Sequence, residues 1–183
     1  MFEKYLIDHC APTLASLKTG SLFNLPLSEA DDLFEQTQRW NGELGEKGIT
    51  LYILRYCDRG ALVYVCRNSR LEQELSKPEV RRFLSSYGYR CGEIDSAIAR
   101  LRERLRADKS FPHEIGIFLG YPLEDVKGFI ENAGKNAKCT GCWKVYNDEC
   151  EAIRTFRQYK KCRDVYARLW TQGISVQQLT VAV

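Results

Sequence analysis

The chain has 183 residues, 44% of them hydrophobic and 28% charged, the balance of an ordinary globular protein with apolar mass enough for one sizeable core. Lys and Arg exceed Asp and Glu by only 27 to 24, a formal net charge of +3, which is too little to hold nucleic acid by bulk charge. No stretch approaches the roughly 18 consecutive apolar residues of a membrane span.

Residues Met1 to Cys10 lack the basic region and long apolar run of a secretory signal, since Asp8 and His9 break the one short hydrophobic stretch. A soluble, cytoplasmic protein without a membrane partner is expected. In that reducing compartment its eight cysteines are expected to be thiols or metal ligands and not a disulfide framework.

In chain order, the opening from His9 to Pro26 mixes apolar residues with prolines and predicts a short helix or extended segment laid on the core. Ser28-Glu29-Ala30-Asp31 has the form of a capping box for a helix to about Trp40 that buries Leu33, Phe34 and Trp40. Ile49 to Cys57 and Ala61 to Arg67 are rich in β-branched and aromatic residues. With Asp58-Arg59-Gly60 between them they predict a β-hairpin, at least one strand of which is covered by helices.

Helices are then predicted over Arg70–Ser76, closed by Pro78, and Glu79–Tyr87, closed by Gly88. A third runs from Glu93 to about Ala107, with Ile94, Ile98, Leu101 and Leu105 at helical spacing and Arg100, Arg102, Arg104 and Arg106 on a solvated face. Phe111 to Tyr121 fits a short helix stopped by Gly120 better than a buried strand. Pro122 starts another helix with Val126, Phe129 and Ile130 inward, ended by Gly134. After the turn Lys138 to Cys142, Trp143 to Tyr146 reads as a short strand. Asp148 caps a long final helix with Ile153, Phe156, Tyr159, Tyr166 and Leu169 along one stripe, ending near Gly173.

One domain over residues 1–183 is expected, since there is no repeat or linker. A hairpin, several helices and a late strand are not the alternation of a doubly wound sheet. The predicted class is α+β: a small sheet containing the central hairpin, flanked by helices, with a long C-terminal helix.

Cys139-Thr140-Gly141-Cys142 is the sharpest local feature, because two thiols at this spacing on a turn can share a metal or form a redox loop. Zinc or an iron–sulfur cluster is the cofactor it suggests. A tetrahedral site needs further ligands, and Cys150, Cys162 and His113 are the candidates. Cys150 and Cys162 stand about 18 Å apart on one continuous helix and cannot both join one mononuclear site. As a redox pair, the motif has Lys138 and Lys144 at hand to stabilise a thiolate; packing thiols remain the bland alternative.

His113, beside Glu114 in a Pro- and Gly-punctuated apolar stretch, is a candidate acid or base, and Cys10 beside His9 a candidate nucleophile. Adjacent side chains of a regular element point apart, which counts against a His9-Cys10 pair. Three readings follow: a CxxC-centred thiol, metal or redox protein; a non-catalytic binding module whose basic C-terminal helix and arginine face meet an acidic protein or nucleic acid; and a small-molecule enzyme with a pocket around His113. The aromatic residues Trp143, Tyr146, Phe156 and Tyr159 read as a core stripe before they read as a nucleic-acid platform.

Asp8-His9-Cys10-Ala11-Pro12-Thr13-Leu14, Leu54-Arg55-Tyr56, the run Phe111 to Val126 and Cys142-Trp143-Lys144-Val145-Tyr146 together resemble a family catalogued as domain of unknown function 3793, over nearly the whole chain. The resemblance implies a bacterial cytoplasmic protein, typically of anaerobes, and brings no established activity. It groups the His9-Cys10, Phe111–Val126 and Cys139–Tyr146 blocks as stretches that can converge on one pocket.

Overall fold

The computed structural model describes residues 2–26, 28, 32–58, 60–90, 92–107 and 110–182. At its centre β1 (Gly20–Leu25), β2 (Ile49–Cys57) and β3 (Gly60–Arg67) form an antiparallel sheet in the order β1-β3-β2. The predicted hairpin is β2-β3, with β3 buried at every position. Successive side chains of a strand point to opposite faces, and this alternation divides the core. Ala61, Val63 and Val65 join one cluster; Leu62, Tyr64 and Cys66 join the other.

The first cluster is roofed by α1 (Phe2–Leu14), α2 (Leu33–Gly45), α8 (Glu149–Thr171) and α9 (Val176–Leu179). The second lies under α3 (Asn68–Ser76), α4 (Pro78–Ser85), α5 (Ile94–Ala107) and α6 (Ile115–Phe118), with α7 (Leu123–Glu131) beside α6. A two-stranded ribbon of β4 (Cys139–Thr140) and β5 (Lys144–Val145) packs on α7. The protein is α+β, with its long helix near the C-terminus as the pattern of residues requires.

Several local expectations are corrected. α1 is one 13-residue helix containing Pro12, because burial of Phe2, Leu6, Cys10 and Leu14, at intervals of four, outweighs a proline confined to the last turn. β1 contains no β-branched residue; it is a strand because all six of its residues find partners along β3. Of the proposed capping box, Glu29, Ala30 and Asp31 lie outside the described residues, as does Arg59 of the hairpin turn. Leu33 and Trp40 are buried as expected, but Phe34 is 64% exposed and meets the ring of Tyr56 at 6.0 Å.

The arginines of α5 are not a merely solvated face. Arg100 donates to the Tyr87 carbonyl, Arg102 to the Ile53 carbonyl and Arg104 to the Glu114 carboxylate. The Arg102 contact also helps close the free edge of β2, where the Asn41 side chain both donates to the Leu51 carbonyl and accepts from its N–H. Side chains thus occupy ladder positions that would otherwise recruit another strand.

Arg67, at the end of β3, is fully buried. Its guanidinium donates to the carbonyls of Thr13 and Leu14 at the end of α1, of Lys47 before β2, and of Val181 in the C-terminal segment, at 2.8–3.2 Å. Helix-end carbonyls lack intrahelical partners and carry the negative end of the dipole, so they suit a cation. Lys47 adds bonds to the carbonyls of Gln177 and Thr180. Two cations thereby fasten α9 to the ends of α1 and β3.

Candidate functional site

A cavity of about 280 Å³ lies between α6, α7 and the ribbon. Its walls are mainly apolar side chains: Phe111, Tyr121, Phe129 and Trp143 supply rings, and Ile115, Leu119 and Val126 supply the floor. The rings brace one another, Tyr121 stacking on Trp143 at 4.9 Å and Trp143 meeting the edge of Phe156 at 4.6 Å. His113 lines the cavity, exposed to solvent, with its ring 4.8 Å from that of Phe129. Among the described residues the His113 imidazole has no hydrogen-bond partner.

The ribbon is held against this cavity by Asp125, which is only 3% exposed. One carboxylate oxygen accepts from the Trp143 indole N–H at 2.7 Å, and the other accepts from the Tyr146 and Asn147 backbone N–H groups at 2.8 and 2.9 Å. Two glycines permit the close approach. A Cβ on Gly128 would stand 2.5 Å from the Tyr146 ring, and one on Gly141 would stand 2.3 Å from the Phe156 ring.

Glu114, adjacent to His113 in sequence, points elsewhere. It is buried, paired with Arg104 at 2.7 Å and hydrogen-bonded by the Tyr89 hydroxyl at 3.1 Å. Burial first, and the Glu114 charge second, push the Tyr89 hydroxyl well above its ordinary range. Cys10 is fully buried on α1, and burial pushes its thiol up to about 12. Its neighbour His9 faces out and stacks on Tyr5 and Phe23, so this pair points apart, as adjacent helical residues must.

The seven described cysteines are all free; Cys91 lies outside the described residues. Cys139 and Cys142 are half-buried on the ribbon, and Thr140 and Gly141 between them line the cavity opposite His113. Cys150 is exposed at the start of α8 and Cys162 is buried in the first core cluster. Among the described residues no three His, Cys, Asp or Glu side chains gather to hold a metal ion. The lysines expected to serve the motif are engaged otherwise, Lys138 with the Asn147 carbonyl and Lys144 with the Gly134 carbonyl.

A different lysine reaches this region. The Lys18 ammonium lies 5.4 Å from the centre of the Tyr121 ring, and the Tyr121 hydroxyl donates to the Cys142 carbonyl at 3.1 Å. The charged or titratable groups around Lys18 are Cys10, Cys142 and Arg163, with no carboxylate among them. Burial, reinforced by Arg163, lowers Lys18 from 10.5 to about 8. Between those values the unfolded chain holds a proton that the folded chain has released, so this group's contribution to stability rises with pH. Lys18→Met is therefore expected to raise the urea midpoint at pH 7, by a gain that shrinks as pH climbs from 8 to 10.5.

Asp125, Tyr121 and Lys18 were not singled out by motif or spacing, because their roles depend on partners 18 or more positions away. The outer face of α8 carries Arg157, Lys160, Lys161 and Arg168 around a shallow groove that also includes Asp164. No described helix is long and apolar enough to cross a membrane.

Comparison with curated proteins finds no match, and none is found among solved structures. The family comparison does: a model described as a protein of unknown function, DUF3793, matches residues 6–180, spanning the cavity, the ribbon and the sheet beneath them. The chain belongs to that family.

Proposed function

We propose that the protein binds a small, planar and mainly apolar molecule in the cavity between α6, α7 and the ribbon, with His113 as the group that exchanges a proton with it. The observation that carries this reading is a cavity walled by four aromatic rings and lined by a solvent-exposed imidazole that has no hydrogen-bond partner among the described residues. Ligand sites have this composition, apolar walls with few polar groups to orient the occupant. At about 280 Å³ the space suits one or two fused rings.

Indole and p-cresol are suitable probes, followed by saturation-transfer NMR and calorimetry. Thr140 is exposed on β4 and lines the cavity, and tryptophan suits a strand position, so Thr140→Trp should fill the space without disturbing the core. Saturable binding of at least one probe, lost in Thr140→Trp and weakened in His113→Ala, is expected. A folded wild-type protein that binds neither probe, or a Thr140→Trp variant that binds as well as wild type, overturns the proposal.

A further inference from the structure

β2 is an edge strand of the sheet, and the groove alongside it is a second concave surface that shares no residue with the cavity at His113. It holds about 460 Å³ between the first turns of α2, the length of β2 and the C-terminal half of α5. Two of its aromatic side chains stand outside the core. Phe34 is 64% exposed and Tyr56 49%, and their rings meet at 6.0 Å with a tilt of 47°. Large apolar groups left in water side by side on a concave wall mark a binding face.

Arg55, Arg102 and Arg106 line the same groove, and among the described residues no aspartate, glutamate or lysine does. Arg102 is held in place by its bond to the Ile53 carbonyl at 2.9 Å and by the Tyr52 ring, whose centre lies 6.0 Å from the guanidinium carbon. Arg55 and Arg106 have no hydrogen-bond or ion-pair partner among the described residues. Three guanidiniums around one groove, with no acid among its walls, favour an occupant that brings carboxylates. Aromatic residues and arginine, with lysine and the acids missing, are also the composition of the cores of protein interfaces.

We propose that this groove docks an acidic peptide segment of a partner protein. An aromatic or aliphatic side chain of the segment wedges against Phe34 and Tyr56, and its carboxylates meet Arg55, Arg102 and Arg106. The segment does not extend the sheet, because Asn41 and Arg102 already occupy the backbone groups of β2 at Leu51 and Ile53; recognition is carried by side chains. Nucleic acid fits less well. Rings tilted against one another present no pair of parallel faces for successive bases, and three cations neutralise few phosphates.

The probe is a fluorescein-labelled peptide alternating glutamate with phenylalanine, titrated with the full chain and followed by fluorescence anisotropy. Peptides alternating glutamate with serine and lysine with phenylalanine, and a labelled oligouridylate, are the comparators. Saturable binding of the glutamate–phenylalanine peptide in preference to all three is expected, weakening as salt is added. Arg55→Gln combined with Arg106→Gln should weaken it by about tenfold or more, the scale of losing interface anchors. Phe34→Ser should do the same, and an exposed position keeps the fold intact. Arg157→Gln combined with Lys161→Gln removes the same charge from α8 instead and should leave the affinity unchanged. No saturable binding of the probe, equal binding of the glutamate–serine peptide, tighter binding of the oligouridylate, or an equal loss in the α8 variant overturns the proposal.

Discussion

Replacing Arg67 by methionine is expected to lower the unfolding free energy by about 2–5 kcal/mol, the cost of leaving buried carbonyls without their charged donor. The loss arises from what remains, not only from what is removed. Arg67 satisfies carbonyls of Thr13, Leu14, Lys47 and Val181 at once, and a methionine fills similar volume while offering them no donor. The Thr13 and Leu14 carbonyls keep the Ser16 and Val181 N–H groups, so the stranded acceptors are those of Lys47 and Val181, each costing on the order of 1–3 kcal/mol, less whatever water penetrates to it. Lysine does not rescue the site, because its point-like ammonium cannot reproduce a planar fork spread over four acceptors.

Urea unfolding followed by circular dichroism checks this, with Arg70→Met as the comparator. Arg70 is exposed and makes a single long contact, 3.5 Å to the Ser16 hydroxyl, so its loss should change stability by less than about 0.5 kcal/mol. Equal effects at the two positions would refute the account. Because Arg67 also holds the C-terminal segment, its replacement should expose α9 to proteolysis before global unfolding. Against a typical total of about 5–15 kcal/mol, this one side chain decides whether the protein stays folded on warming.

The second large effect is local. Asp125→Ala is expected to cost about 2–4 kcal/mol, because it leaves the Trp143 indole N–H and the Tyr146 and Asn147 amides without their acceptor. The two-residue strands of the ribbon cannot compensate from their own pairing. Amide hydrogen exchange is the decisive measurement. Protection at Tyr146 and Asn147 should fall by two or more orders of magnitude, while the amides of β3 lose only what the global destabilisation takes. Unchanged protection at those two amides would show that the ribbon is held by other contacts. Asp125→Ala should also abolish probe binding in the cavity, since Trp143 is one of its walls.

How far the site could be read in advance differs from residue to residue. His113 and the CxxC turn were marked by composition and spacing, and the structure places His113 and the middle of that turn on one cavity. Glu114, equally marked by adjacency, faces Arg104 and Tyr89 instead, because a helical turn sends neighbouring side chains in different directions. Cys10 was marked by its place beside His9, yet the apolar stripe of α1 buries it. Phe34 shows the converse, an aromatic residue expected inside that stands outside because Leu33 and Trp40, seven residues apart, take the buried face of α2.

The sequence by itself determined the elements whose signals are local: the β2-β3 hairpin with its β-branched residues and Gly60, the stripe of α5, Gly88 and Gly120 at helix ends, and Asp148 accepting from the Glu151 N–H at the start of α8. These depend on periods of 2 and 3.6 and on capping chemistry within a few residues. Only the tertiary structure decided that Gly20–Leu25 is a strand, that Arg67 is the hub of the C-terminal docking, that Asp125 holds the ribbon, and that Lys18 lies against the Tyr121 ring. Each is a pairing between distant positions, and its free energy comes from removing both partners from water together. No window of neighbouring residues contains that information. The cysteines illustrate the division: the CxxC spacing was legible in the sequence, whereas only the fold brings the Glu149 carboxylate beside Cys139.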